Sequence, residues 1–185
     1  WLPRQRSEPG DVNNNPPPHD WNCALQGALF GALFGLLPLW VRVVDGGQCF
    51  DFAMVLLAFG LGRTASTFAP AIRPAWRYIL MGVCLACAAL VPGWLALLSF
   101  FPLGVLAAGS DAALVSQLAG KGDPSLRWQI LLRSGSLGGL IGALGIGVIT
   151  QILSLSIAIP CLIAGFAVMA WIIARVSSHS NPSQA

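Results

Sequence analysis

Two charged side chains, Asp111 and Arg133, lie inside apolar segments of this sequence. Asp111 stands ten residues before Lys121, and Arg133 stands ten residues after Asp123. If the two segments form a helical hairpin, both charges lie ~15 Å from the turn and close to the middle of a bilayer. A single charge there costs about 2.5–3.5 kcal/mol on insertion scales, so the spacing predicts that Asp111 and Arg133 pair, directly or through water.

Three roles stay open for this pair: a static structural salt bridge, a gate that breaks and re-forms during a conformational change, or a site that contacts substrate or carries a proton. Other polar side chains accompany it. Gln129 and Ser136 share a helical stripe with Arg133, and Asn22 and Gln26 lie four residues apart on the first apolar segment. We expect these four polar side chains to border the path of a solute.

The sequence lacks the residues that a metal site, an enzyme active site or an ATP-binding site needs. Cys84 and Cys87 form a C-x-x-C pair inside an apolar segment with no second ligand pair, and the only histidines are His19 and His179 in the tails. We therefore expect no metal site, no cofactor and no enzyme active site. The sequence has no G-x-x-x-x-G-K-[ST] motif for ATP, and its net charge of +3 is spread over several loops, which argues against a nucleic-acid partner.

Six apolar segments must position the charged pair, and they cover roughly 22–44, 50–69, 75–91, 93–119, 127–151 and 154–174. Only 9% of the residues are charged, against about a quarter in a soluble domain. When the segments alternate across a membrane, nine of the ten Lys and Arg residues fall on one side and only Arg42 on the other. Because cytoplasmic loops collect basic residues, this predicts an all-α polytopic membrane protein with six transmembrane helices and both ends cytoplasmic.

The apolar segments lie between two polar ends. Residues 1–20 are rich in Pro and Asn and are predicted to form a disordered cytoplasmic linker, residues 21–175 the six-helix bundle, and residues 176–185 a cytoplasmic tail. Because the sequence starts at Trp1 rather than Met, we expect a fragment or a processed chain. The lipid bilayer is the first predicted partner, and a bacterial inner membrane or a plasma membrane is the predicted location.

Glycines recur at intervals of four on two of the segments. This spacing places them on one helix face, where a second helix can approach closely. We expect these faces to serve helix packing, with sliding of one helix against another as the alternative. The glycines are Gly27, Gly31 and Gly35 on the first segment, and Gly135, Gly138, Gly139 and Gly142 on the fifth.

The pattern of residues 20 to 175 resembles one half of a major facilitator superfamily transporter. The stretch SDAALVSQLAGKGDPSLRWQILLRSGSLGGLIGALGIG is similar to the fourth span, inner loop and glycine-rich fifth span of that family, and the polar start and short tail resemble its C-terminal half. Gly62 and Arg63 match the last two positions of the family's loop motif G-x-x-x-D-R-x-G-R, whereas Phe59 stands in place of Asp and Val55 in place of the first Gly.

The resemblance implies a secondary transporter that moves a small-molecule substrate by alternating access. It implies two inverted three-helix repeats, a substrate site near the middle of the membrane, and a place for Asp111 and Arg133 in an inner charge network. The partner would be a missing N-terminal six-helix half or a second copy of the chain. A non-transporting membrane factor for assembly or pigment delivery on the same fold is the alternative.

Overall fold

The computed structural model describes residues 19–44, 49–68, 72–91, 96, 98–118 and 123–179. Within these ranges the protein is all-helical and has no β-strand. A short 3₁₀ turn, Ser66–Phe68, extends the second helix. The six described helices are α1 (Trp21–Val44), α2 (Cys49–Ala65), α3 (Pro74–Leu90), α4 (Phe100–Gln117), α5 (Pro124–Leu153) and α6 (Leu155–His179).

Each predicted apolar segment overlaps one of these helices, but several helix ends differ from the prediction. α4 is described from Phe100, and the predicted start of its segment at residue 93 lies outside the described residues. α6 continues to His179, so the predicted tail of 176–185 starts as helix. Residues 1–18 of the predicted linker and residues 180–185 of the predicted tail lie outside the described residues. The disordered linker therefore stays a prediction.

Among the described helices, four are long and apolar enough to cross a membrane: α1, α4, α5 and α6. α3 is also apolar, but its 17 residues reach only about 25 Å of a ~30 Å hydrocarbon core. Large apolar side chains face outwards along α5, where Ile141 is 69% exposed and Leu144 is 64% exposed. An apolar exterior of this kind suits lipid rather than water, which is consistent with an integral membrane protein.

The helices pack in three main pairs: α1 with α5, α2 with α4, and α3 with α6. α3 also packs against α4, and α6 against α1, and the side chains of Leu33, Met81, Leu103 and Phe166 are fully buried in the core between them. The main packing pairs are preserved when the first three helices are exchanged in order for the last three. The pair α1–α5 becomes α4–α2, and the pair α3–α4 becomes α6–α1. The packing of α5 against α6 is the exception, because α2 and α3 make at most weak contact among the described residues.

Glycine allows the closest of these helix contacts. A Cβ atom on Gly27 would collide with the carbonyl oxygen of Gly135, and one on Gly31 with that of Gly139, so α1 and α5 touch backbone to backbone. Because the paired residues advance in the same direction along both helices, α1 and α5 run parallel.

Three further glycines extend the contact between α1 and α5. A Cβ atom on Gly138 would collide with the carbonyl oxygen of Ala24, and one on Gly142 with that of Ala28. Gly35 has more room, because its nearest backbone neighbour would lie 3.3 Å from a Cβ atom. The glycine faces expected on the first and fifth segments thus meet in one interface.

The start of α1 is capped by Asp20 and is joined to α5 by one hydrogen bond. Asp20 Oδ1 accepts from the backbone N–H groups of Asn22 at 3.0 Å and Cys23 at 3.3 Å, which caps the helix. The backbone N–H of Asp20 donates to Ser134 Oγ on α5 at 3.1 Å. The cap and the glycines together fix the first turns of α1 against α5.

Two alanine substitutions in α5 test the close packing against α1. Both raise helix propensity by up to about 1 kcal/mol, but a Cβ atom on Gly138 meets the backbone of α1 whereas Gly145 has open space around it. We expect Gly138→Ala to lower the free energy of unfolding by about 1–3 kcal/mol and Gly145→Ala to leave it equal or higher. Unfolding in mixed micelles, followed by circular dichroism, measures both values. An equal effect of the two substitutions would contradict this packing.

Candidate functional site

Four consecutive helices each contribute one polar side chain to the same region: Gln26 from α1, Arg63 from α2, Tyr78 from α3 and Asp111 from α4. α1 and α3 begin at this end of the bundle, and α2 and α4 end there. Residues that are far apart in the sequence therefore come to a similar depth. These four residues are called the polar cluster below.

The strongest interaction in the polar cluster is an ion pair. Arg63 Nη2 lies 2.7 Å from Asp111 Oδ2, which is the distance of a charge-assisted hydrogen bond. The side chain of Asp111 is 16% exposed and that of Arg63 is 44% exposed, so the carboxylate is the more enclosed partner. A Cβ atom on Gly62 would collide with the backbone of α4, and one on Gly104 with that of α2. The two helices therefore cross closely beside Arg63, which brings its side chain within reach of Asp111.

The other oxygen of the carboxylate accepts from a neutral donor, the side-chain amide of Gln26. Gln26 Nε2 donates to Asp111 Oδ1 at 2.5 Å, and the Tyr78 hydroxyl donates to Gln26 Oε1 at 2.5 Å. Gln26 is 3% exposed and Tyr78 is 2% exposed. Because a carboxylate can only accept, the amide of Gln26 must turn its nitrogen to Asp111 and its oxygen to Tyr78. Both oxygens of Asp111 have a donor, which offsets the cost of burying the charge.

The structure corrects the predicted partner of Asp111, which is Arg63 instead of Arg133. Arg133 is exposed on α5 and makes no ion pair with any described residue. α4 packs mainly against α2 and α3, whereas α5 packs mainly against α1, so equal depth in consecutive segments does not bring these two side chains together. Asp111 also lies only about 9 Å from the last residue of α4, at 1.5 Å per residue.

The four predicted pathway residues separate in the structure. Gln26 belongs to the polar cluster, Gln129 and Ser136 are exposed on α5, and Asn22 is half-exposed at the start of α1. The Ser136 hydroxyl donates to the backbone carbonyl of Arg133 at 3.1 Å. Gln129, Arg133 and Ser136 thus form an exposed polar stripe on α5, outside the polar cluster.

An open groove of about 400 Å³ lies beside the polar cluster, and its described lining residues come from α1, α2, α4 and α5. One part of its wall is polar and another is aromatic. The ring of Phe34 is held edge-on against Phe59 of α2, with centroids 5.1 Å apart. The polar lining residues are Gln26, Arg63, Asp111 and Ser136, and the aromatic ones are Phe30, Phe34 and Trp128.

Two members of the polar cluster, Arg63 and Tyr78, were not among the predicted site residues. In the sequence, Arg63 is counted only among the basic residues that mark the cytoplasmic side. Its match to the last position of the motif G-x-x-x-D-R-x-G-R is the signal that indicates a more specific role. Tyr78 is the only tyrosine of the chain and lies in an apolar segment, where its hydroxyl needs a partner. That requirement is the signal that leads to Tyr78.

Comparisons of the chain with protein-family models, with curated proteins and with solved structures found no match. Within the part of the chain that the structure describes, no three His, Cys, Asp or Glu side chains form a group that could hold a metal ion. The function of the site must therefore be inferred from its own features, which are a partly exposed ion pair, a buried amide and a groove with aromatic side chains.

A double-mutant cycle distinguishes Arg63 from Arg133 as the partner of Asp111. We expect Arg63→Gln and Asp111→Asn to show a coupling free energy of about 0.5–3 kcal/mol, because side chains in direct contact do not act independently. The same cycle with Arg133→Gln in place of Arg63→Gln should give less than about 0.5 kcal/mol, because separate sites are additive. Unfolding of the four variants of each cycle in mixed micelles gives both numbers. A larger coupling to Arg133 than to Arg63 would rule out the ion pair described above.

Proposed function

We propose that this chain forms one six-helix half of a secondary transporter, of the major facilitator type, that moves a small solute by alternating access. The observation that carries the proposal is the groove, which opens between α1, α2, α4 and α5 and is lined in part by the Arg63–Asp111 ion pair. The groove offers a path for a solute, and the ion pair offers a gate across it. Energy would come from an ion or solute gradient.

The helix arrangement supports this proposal. Exchange of the first three helices for the last three preserves the main packing pairs, which is expected of two three-helix repeats with inverted orientation. In transporters built this way, the solute site lies near the middle of the membrane, between two six-helix halves. The groove is lined by α1, α2, α4 and α5 and not by α3 or α6. The first two helices of each repeat would therefore face the second half.

The exposed polar stripe supports a protein partner on the groove side of the bundle. Gln129, Arg133 and Ser136 lie on an apolar helix of 30 residues, and charged side chains in membrane helices face protein or water rather than lipid. Ser136 also lines the groove, so the stripe borders the groove. The partner would be a missing N-terminal six-helix half or a second copy of this chain.

We assign the Arg63–Asp111 ion pair the role of a gate rather than that of a static bridge. Arg63 lies in the last turn of α2 and is 44% exposed, so its side chain can leave Asp111 for water while both helices stay intact. A hydrogen bond to a charged group contributes about 1.5–3 kcal/mol, which is similar to the coupling free energy that a bound ligand can supply. Breaking this bond would free the end of α2 from α4.

All six helices cross the membrane in this proposal, and both ends of the chain lie in the cytoplasm. α2 and α3 have 17 residues each, and short helices are accommodated by local thinning of the bilayer or by flanking residues. Arg63 at the end of α2, Arg77 in the first turns of α3 and Arg127 in the first turn of α5 lie at the end of the bundle that holds the polar cluster. Basic residues favour the cytoplasmic side, so the gate would be the inner one.

Labelling of a cysteine in the groove from each side of the membrane tests alternating access. Ser136→Cys is placed in a chain whose five native cysteines are replaced by Ala, and it reacts with a membrane-impermeant maleimide in right-side-out and inside-out vesicles. We expect labelling from both sides. Arg63→Gln should raise the rate from the cytoplasmic side at least threefold and lower the rate from outside, because it opens the inner gate. Leu144→Cys, which does not line the groove, should stay unlabelled from either side.

Labelling of Ser136→Cys from one side only, at a rate that Arg63→Gln does not change, would exclude alternating access. That result would favour a membrane factor for assembly or pigment delivery, in which a partner fills the groove permanently.

A further inference from the structure

We propose that the groove binds a small organic anion with an apolar, aromatic-sized body and that the carboxylate of this ligand binds Arg63. That this anion is the transported solute rests on the proposed function, whereas binding of the anion to the groove does not. The assignment follows from which hydrogen-bonding groups of the groove are occupied and which are unused.

The acceptor groups of Asp111 and Gln26 are enclosed, and each already has a donor. Asp111 Oδ1 accepts from Gln26 and Oδ2 from Arg63, and the amide oxygen of Gln26 accepts from Tyr78. Asp111 is 16% exposed, and Gln26 and Tyr78 are almost completely buried. A cationic ligand would have to reach the remaining lone pairs of a carboxylate that is only 16% exposed and whose charge Arg63 already offsets.

The donor groups of the groove are only partly used. A guanidinium carries five N–H bonds, and Arg63 binds Asp111 through Nη2, whereas its Nη1 and Nε atoms have no partner among the described residues. The side chain is 44% exposed and lines the groove. Because Arg binds carboxylates through two parallel hydrogen bonds, these unused donors favour a ligand with a planar carboxylate.

Aromatic side chains form the neighbouring wall of the groove. Phe30 and Phe34 come from α1, and Trp128 comes from α5. Phe34 is 37% exposed while its ring packs edge-on against Phe59, so it offers a well-positioned apolar surface. The volume of about 400 Å³ lies within the range of small-molecule pockets, roughly 300–1,000 Å³. These features suit an aromatic or similarly sized apolar body next to the carboxylate.

Binding of the anion would place two carboxylates in competition for one guanidinium. The ligand draws Arg63 into the groove, while Asp111 keeps its hydrogen bond from Gln26. Loading of the groove would thereby weaken the bond that joins the end of α2 to α4. The residue that recognises the ligand is thus also the residue that opens the gate.

Equilibrium binding of three labelled probes to the full chain in lipid nanodiscs tests this assignment. Phenylacetate, 2-phenylacetamide and phenethylamine share one aromatic body and differ in charge. We expect saturable binding of phenylacetate, at least tenfold weaker binding of the amide and the amine, and at least a tenfold loss of phenylacetate affinity in Arg63→Gln. Arg42→Gln removes the same charge in the last turn of α1, far from the groove, and should leave binding unchanged.

Phe34→Ala leaves the ion pair in place and serves as a second variant. It should weaken phenylacetate binding several-fold and retain the preference for the carboxylate over the amide. The assignment is overturned if phenylacetate does not bind, if phenethylamine binds as tightly, or if Arg42→Gln and Arg63→Gln weaken binding equally.

Counterflow of labelled phenylacetate into vesicles loaded with unlabelled phenylacetate separates this assignment from the proposed function. Saturable binding without counterflow retains the anion site and overturns transport of that anion. Counterflow of phenethylamine but not of phenylacetate retains transport and overturns the anion site.

Discussion

A carboxylate on an apolar helix needs donors from other helices, because water is scarce among them. Asp111 obtains its donors from α2 through Arg63 and from α1 through Gln26, and Tyr78 of α3 fixes the orientation of Gln26. Four helices therefore converge on one side chain. A rearrangement of these helices at this end of the bundle changes the hydrogen bonds of Asp111, and a change in the charge of Asp111 changes how well the helices hold together.

The two close helix contacts beside the groove differ in kind. α1 and α5 share an extended glycine interface that an Asp20 cap reinforces. α2 and α4 meet at a single crossing of Gly62 and Gly104, and beyond it their ends are joined by an ion pair whose arginine is 44% exposed. We infer that the first contact is firm and the second can turn about its crossing. A groove with one firm wall and one movable wall suits a site that opens and closes.

The range of each interaction explains how much of this fold the sequence predicts. Apolar runs and glycine spacing are local properties of a helix, and they predict six helices and the glycine faces on α1 and α5. The depth of a residue along its helix is also a local property, but the identity of the neighbouring helix depends on long-range packing. For this reason the sequence predicts Arg133 as the partner of Asp111, whereas the structure shows Arg63. The sequence predicts that Gln26 borders the path of a solute. It does not predict the hydrogen bonds of Gln26 to Tyr78 and Asp111, because these residues lie 52 and 85 positions away in the chain.

The pairing of Arg63 with Asp111 can be measured directly by solid-state NMR. The full chain is labelled with ¹⁵N-arginine and ¹³C-aspartate in lipid bilayers, and dipolar recoupling reports which guanidinium nitrogen lies next to the Asp111 carboxyl carbon. A nitrogen 2.7 Å from a carboxylate oxygen predicts a strong coupling that disappears in Arg63→Lys and persists in Arg133→Lys. A coupling that persists in Arg63→Lys and disappears in Arg133→Lys, or the absence of any coupling at Asp111, would contradict the ion pair on which the proposed gate depends.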